Sequence, residues 1–234
     1  RPPRPALVLA AVAALLALAL AACGEREQPS SSSGARTERL DVVLDYVPNP
    51  DHAGLYAAIG TGAFADVKLD VRPRVPSDPA APLRLLEAGS ADLAISYQPE
   101  VMLARDRGAR IVAIGALVQK PLTSVISIGD RRVRRAADLK GRRIGTAGIP
   151  YQDAYLKAIL ARAGIPADDV RTVDVGFNLT PAMESGRVDA TLGSFWNVEG
   201  VQLQRRGRRP TILRLDELGV PSYNELVIVA REED

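Results

Sequence analysis

From Leu40 to Ala230 the sequence predicts two α/β lobes around a cleft, and three observations carry that reading. Short β-branched or aliphatic runs alternate with amphipathic stretches, the pattern of parallel sheets with helices on both faces. Helical stretches end in glycine at Gly89, Gly108, Gly164, Gly186 and Gly207, as a left-handed helix stop requires. Two strand-like segments, Leu122–Asp130 and Glu225–Ala230, sit where a chain would cross from one series to a second and back. A composition of 47% hydrophobic and 25% charged residues fits a folded globular chain and excludes a disordered or collagen-like one.

Ten strands are expected: Leu40–Val47, Val67–Arg72, Leu93–Tyr97, Ile111–Leu117, Ser124–Ile128, Arg143–Thr146, Arg171–Val175, Ala190–Gly193, Thr211–Leu215 and Glu225–Ala230. Helices are expected over Gly54–Thr61, Ala80–Ala88, Glu100–Arg107, Gln152–Ala163, Pro181–Ser185 and Val198–Arg206. With the crossovers placed as above, residues 40–123 and 224–234 form lobe one, and residues 124–223 form lobe two. No internal sequence repeat is evident.

Upstream, Arg1 and Arg4 precede an apolar run from Pro5 to Ala22 that ends in Leu20-Ala21-Ala22-Cys23. A basic start, an apolar stretch and small residues before a cut site mark a secretory signal. The 18 residues of that run also reach the lower limit for a membrane-spanning helix. The lone cysteine directly after Leu-Ala-Ala resembles the bacterial lipobox, which implies cleavage after residue 22, lipidation of Cys23 and a fold outside the cytoplasmic membrane. Residues 23–39, with Ser30 to Ser33 and Gly34, read as a flexible tether. The chain opens on Arg1 rather than Met, so a missing first segment is expected.

Charge and metal-ligand counts exclude several classes of function. With 30 Lys+Arg against 28 Asp+Glu, the net charge of +2 gives no case for nucleic acid. One cysteine and one histidine exclude a disulfide framework and a Cys- or His-rich metal centre. No metal and no cofactor is expected.

The chemistry concentrates at strand ends, where open α/β sheets collect ligands. Asp45-Tyr46-Val47-Pro48-Asn49-Pro50-Asp51-His52 puts a carboxylate, a phenol, an amide and an imidazole within eight residues. Of only ten aromatic residues, Tyr46, Tyr97, Tyr151, Trp196 and Tyr223 fall at such junctions, each beside a polar residue. Together they imply a flat, partly aromatic ligand held between rings, with Trp196 and one tyrosine sandwiching it. An exocyclic amine on such a ring would be accepted by Glu199 or Asp45, while Asn49 or Asn197 can both donate and accept. His52 completes the set of expected ligand contacts.

Leu44-Asp45-Tyr46-Val47-Pro48-Asn49-Pro50-Asp51-His52-Ala53-Gly54-Leu55-Tyr56 resembles the opening of the solute-binding proteins that carry thiamine-pyrimidine precursors to ABC importers, in the wider alkylsulfonate-binding and thiamine-pyrimidine-synthase-like family. The pieces Asp138-Leu139-Lys140-Gly141, Gly186-Arg187-Val188-Asp189 and Trp196-Asn197-Val198-Glu199-Gly200 match as well. The resemblance implies a type II periplasmic-binding-protein fold and a monomeric lipoprotein. Its partners would be an aminopyrimidine (a formylamino- or hydroxymethylpyrimidine), an ABC permease and the membrane that holds its lipid. Family members continue for several helices where this chain stops, so the C-terminal part of lobe one is expected to be missing. Carriers of riboflavin, alkylsulfonate or nitrate are the alternatives within that class.

The same superfamily contains a pyridoxal-phosphate-dependent pyrimidine synthase, and the resemblance places different residues at its required positions. Ser96 stands where its lysine holds the cofactor, and Glu100 where its consumed histidine lies. Gly148-Ile149-Pro150-Tyr151 replaces a phosphate-binding turn, and Val220-Pro221-Ser222-Tyr223-Asn224 a cysteine-rich segment. The expectation is a binding protein rather than an enzyme.

Overall fold

The computed structural model describes residues 36–234; the expected signal, lipidation at Cys23 and most of the tether lie outside the described residues. Ten strands form two five-stranded sheets. The first sheet holds β1 (Glu38–Val43), β2 (Leu69–Arg74), β3 (Leu93–Ser96), β4 (Ile111–Val118) and β10 (Leu226–Arg231), in the order β2-β1-β3-β10-β4. The second holds β5 (Thr123–Ser127), β6 (Arg143–Thr146), β7 (Arg171–Asp174), β8 (Ala190–Phe195) and β9 (Thr211–Arg214), in the order β7-β6-β8-β5-β9. The helices are α1 (Ala53–Gly60), α2 (Ala63–Asp66), α3 (Ala81–Glu87), α4 (Gln98–Asp106), α5 (Pro150–Arg162), α6 (Leu179–Glu184) and α7 (Glu199–Arg205). All five glycines expected to stop helices have positive φ, from 67° at Gly89 to 93° at Gly108.

Neither sheet is purely parallel, which corrects the expectation. In the first, β1 pairs parallel with β2 and β3, but β10 runs antiparallel to β3 and β4. In the second, β6 pairs parallel with β7 and β8, and β5 runs antiparallel to β8 and β9. The two reversed strands are the ones that arrive from the other series. Each is inserted fourth in its sheet, so the two sheets share one strand order although the sequence shows no repeat.

One short motif does recur, and the fold explains it. Gly89-Ser90-Ala91-Asp92 precedes β3 and Gly186-Arg187-Val188-Asp189 precedes β8. The Asp92 carboxylate accepts the Asp41 N–H at 2.7 Å, and Asp189 accepts the Arg143 N–H at 2.9 Å. Each aspartate thus ties the start of one strand to its parallel neighbour, β1 or β6. Asp189 also receives the Arg143 guanidinium at 3.1 Å and that of Arg131 at 3.2 Å. The motif serves the sheets and not a ligand.

Core packing follows burial. Val43, Ala94, Val227 and Val229 meet Leu83 and Leu86 of α3 and Val101 of α4 on one side of the first sheet. Val125, Ile144, Ala190 and Leu192 meet Leu156, Ile159 and Leu160 of α5 in the second. All five residues of β5 are buried, as a central strand covered on both faces requires. The opposite side of the first sheet is less well covered. Leu40, Val42, Leu55, Phe64, Val71, Ile95 and Ile228 line an apolar hollow there.

Candidate functional site

The ends of β1, β3, β6 and β8 converge on a narrow slot between the two sheets. Its walls are Tyr46, Asn49, Tyr97, Ala147, Ile149, Gln152, Gly193, Phe195, Val198 and Glu199, and they close to leave a cavity of about 10 Å³, room for little more than one water. Three aromatic rings and three apolar side chains form its walls, and one carboxylate and two amides supply its polarity.

The loop after β1 is fixed from beneath. Asn49 caps the 3-10 turn Pro50–His52, its Oδ1 accepting the Asp51 N–H at 2.9 Å. The Asn49 N–H in turn donates to His52 Nδ1 at 3.3 Å. That bond leaves the imidazole proton on Nε2, which donates to Asp45 Oδ1 at 2.8 Å. Tyr97 Oη donates to Asp45 Oδ2 at 3.1 Å, so both carboxylate oxygens are engaged. Asp45 and His52 are fully buried and hold the loop against the end of β3. Both were expected to touch a ligand; their bonding turns them inward, because a buried carboxylate needs partners and finds them here.

Tyr46 reaches across to the second sheet. Its hydroxyl donates to the Phe177 carbonyl at 2.9 Å, and the two rings meet edge to face at 4.8 Å. Burial, with Glu199 and Asp45 nearby, raises the Tyr46 phenol well above its usual range and keeps it a donor. Asn197 Nδ2 donates to Asp51 Oδ1 at 2.7 Å, a second bond between the halves. Asn197 therefore holds the slot shut and does not line it. A ring can enter only when these contacts part.

Glu199 opens α7 and is buried against the slot, its Oε2 accepting the Phe195 N–H at 2.7 Å. Burial pushes its carboxyl up to about 7, against the lowering effect of backbone hydrogen bonds and with Asp51 and Asp45 adding to the rise. Gln152 stands opposite, its Oε1 accepting the Ala147 N–H at 2.8 Å. Gly193 makes room for that amide. It sits at a bulge between β5 and β8 with φ of 122°, and a Cβ there would lie 2.5 Å from Gln152 Nε2. Gly193→Ala is expected to destabilise the fold by about 1–3 kcal/mol, through backbone strain and the displaced amide. It should also narrow the slot; thermal unfolding and ligand titration together read both effects.

The remaining expected residues lie elsewhere. Trp196 does not sandwich anything in the slot. Phe195, the last residue of β8, faces the slot, while Trp196, in the turn that follows, lies under the Arg214 guanidinium, 5.0 Å from the ring centre. Tyr151 is buried and stacks between Tyr97 at 5.2 Å and Tyr155 at 5.3 Å. Tyr155 meets Tyr223 at 5.4 Å, so four tyrosines run unbroken from the slot to the crossovers. At their far end Glu225 accepts the Leu122 N–H at 2.6 Å, the Thr123 N–H at 2.8 Å, the Thr123 hydroxyl at 2.8 Å and the Tyr223 hydroxyl at 3.1 Å. One carboxylate thereby binds both crossover segments. Sequence reasoning missed Gln152, Phe195 and Glu225; the first two lie beside residues it did select.

Burial also pushes the Glu225 carboxyl up to about 7. With folded values near 7 and a reference near 4.5 for both Glu199 and Glu225, the folded chain holds more protons than the unfolded one between those limits. Stability is then expected to fall as pH rises from about 4.5 to about 7, by up to about 3 kcal/mol for each group. Chemical denaturation across that window reads the fall, and Glu199→Gln with Glu225→Gln should flatten it.

Two mixed sheets of one strand order, joined by two crossovers around a slot, define the fold of the type II periplasmic binding proteins. The alkanesulfonate-binding protein SsuA from Xanthomonas axonopodis pv. citri, solved bound to MOPS, shares it with a TM-score of 0.63 at 20% identity, over 85% of this chain and 67% of that one. The chain belongs to the NMT1/THI5-like family, whose model matches residues 49–234. It is 36% identical over 218 residues to a formylaminopyrimidine-binding protein of Halalkalibacterium halodurans, covering 93% of this chain and 65% of that protein. A 4-amino-5-hydroxymethyl-2-methylpyrimidine phosphate synthase of Uromyces fabae is 28% identical over 208 residues, 84% of this chain and 60% of the synthase. The chain thus spans somewhat under two thirds of the length of these relatives.

Proposed function

We propose that the chain is the binding component of an ABC importer and captures an unphosphorylated thiamine-pyrimidine precursor in the slot. The observation that carries this reading is the buried Glu199 carboxylate in a slot walled by Tyr46, Tyr97 and Phe195. Once the Tyr46 and Asn197 contacts part, a flat ring can be held between such walls, and its exocyclic amine adds a donor to the carboxylate beside the Phe195 N–H it already accepts. Gln152 Nε2 is the amide group placed to meet a ring nitrogen, whereas Asn49 lines the wall with its amide bonded to the Asp51 N–H and the Val47 carbonyl. The identity to a formylaminopyrimidine-binding protein supports the same ligand class. In this reading Asp45, His52, Tyr151, Asn197 and Tyr223 shape and close the site, and Trp196 packs outside it.

We also assign residues 1–22 as a leader, Cys23 as the lipidated start of the tether expected over residues 23–39, of which Glu38 and Arg39 already open β1, and a monomer outside the cytoplasmic membrane. Residues 40–123 with 224–234 are lobe one and 124–223 lobe two, closing on the ligand about the crossovers. Among the described residues no helix is long and apolar enough to cross a membrane.

The synthase reading fits the residues poorly. Ser96, at the end of β3, is buried and carries no amine, and Pro150, the first residue of α5, has no N–H to offer a phosphate. Titration calorimetry with an aminopyrimidine, riboflavin and an alkanesulfonate tests the proposal. Tight binding of the pyrimidine alone is expected. Selective binding of either other ligand would overturn it.

A further inference from the structure

The end of the second sheet farthest from the slot is strongly basic. β6 and β8 run toward the slot, which takes Ala147 and Phe195 from their ends, so residues 128–142, which lead into β6, lie at the opposite end. From Asp130 to Arg143, seven of fourteen residues are basic and two are acidic. Val133 and Leu139 are fully buried, and the Val133 N–H donates to Ser127 Oγ at 2.9 Å. Pinned there, the segment leaves Arg131, Arg134 and Arg135 exposed. The imbalance extends beyond this segment. Residues 124–223 hold 16 basic and 11 acidic side chains, whereas residues 40–123 with 224–234 hold 9 and 14. A net charge of +2 conceals that separation.

Beside this end, at the last turn of α5, lies a groove of about 390 Å³. Ile159, Ala163, Leu213 and Leu218 give it an apolar lining, and Arg134, Arg135, Arg162 and Glu217 a charged one. Arg134 and Arg162 form no ion pair among the described residues, and Arg135 meets Asp138 at 3.3 Å in an exposed pair, which neutralises little. Glu217 accepts the Arg214 N–H at 3.1 Å. Three guanidiniums thus share the groove with one carboxylate that is already engaged.

We propose that this basic end and its groove dock on a bilayer of anionic phospholipid. Guanidiniums grip phosphate oxygens in forked pairs, and clusters of them are drawn to anionic headgroups. The apolar lining suits the glycerol and first methylenes of the lipid. Nucleic acid fits the same surface less well. No aromatic residue occurs in residues 128–143 and none lines the groove, so bases find nothing to stack on. The slot lies at the other end of the strands, so docking leaves it clear. Docking of this kind does not depend on which ligand the slot takes.

Co-sedimentation of the full chain with vesicles tests this, one set of phosphatidylcholine alone and one mixed with phosphatidylglycerol. The first set records binding by the apolar run of residues 5–22, which carries no charged side chain. Binding to the mixed vesicles is expected to be tighter and to fall as salt rises. Arg134→Gln should weaken it about fivefold, and the Arg134→Gln, Arg135→Gln, Arg162→Gln triple variant about 100-fold. The Arg72→Gln, Arg74→Gln, Arg84→Gln variant removes the same charge from the first sheet and should leave lipid binding unchanged. Melting temperatures show that the variants fold, and the single variant decides the matter where the triple one melts early. Equal binding to both vesicle sets, no loss in Arg134→Gln, equal loss in the two triple variants, or tighter binding to a duplex oligonucleotide than to the mixed vesicles overturns the proposal.

Discussion

Replacing Glu225 by alanine is expected to destabilise the fold by about 3–5 kcal/mol, the cost of stranding the partners of a buried charged group. The change removes the acceptor from two backbone N–H groups, Leu122 and Thr123, and from two hydroxyls. All four belong to the segments that join the sheets, so none can turn to water without opening the crossovers. For a chain of this size that loss is a fall in melting temperature of roughly 6–20 °C. Glu225→Gln should cost about half as much, because one oxygen remains to accept while the new amide group faces N–H donors. A further loss of ligand affinity at temperatures where the variant stays folded would show that the clamp also sets the angle between the halves. Thermal unfolding of both variants checks the prediction. A shift of under ~2 °C for the alanine variant would mean that the four donors find other partners.

Glu199→Gln is expected to weaken aminopyrimidine binding by about 10–100-fold, the range for a hydrogen bond to a charged group. The glutamine oxygen can keep the Phe195 N–H that Glu199 now accepts at 2.7 Å, which preserves the turn into α7. Its amide group then points a donor at the ligand's donor amine. Loss of binding with little change in melting temperature is the expected signature. The same carboxylate makes binding pH-dependent. Its value near 7 in the free chain means that an amine ligand, which requires the ionised form, must displace a proton at lower pH. Affinity should therefore fall as pH drops below about 7, approaching tenfold per unit, and Glu199→Gln should abolish that slope. A flat profile in the wild type would show that the ligand does not meet this group.

Much of the fold was legible because burial writes itself into composition. All ten expected strands form within a few residues of their expected bounds, since each is a short β-branched run closed by Gly, Pro or a charged turn. The one-turn helix α2 escaped notice because Ala63–Asp66 is too short to show a period. Strand direction escaped for a different reason. β5 and β10 are largely buried on both faces, and such runs look alike whether they pair parallel or antiparallel.

The site was legible only where a residue both sits at a strand end and turns toward the slot. Tyr46, Asn49, Tyr97 and Glu199 meet both conditions. Trp196 meets the first and not the second, because β8 ends at Phe195, which faces the slot, and the turn that follows carries Trp196 to Arg214. Asp45 and His52 were grouped with the ligand contacts because composition does not distinguish a polar group that awaits a ligand from one already paired. Only the 2.8 Å contact between them does. Gln152 carries no signal beyond its place at the start of α5, and its value lies in the missing side chain at Gly193.

The crystal structure of the chain with a bound aminopyrimidine tests the central claim most directly. The account predicts the ring between Tyr46, Tyr97 and Phe195, with its exocyclic nitrogen within about 3 Å of the Glu199 carboxylate. A ring lodged against Trp196 or in the apolar hollow of the first sheet, with Glu199 facing no ligand atom, would contradict it.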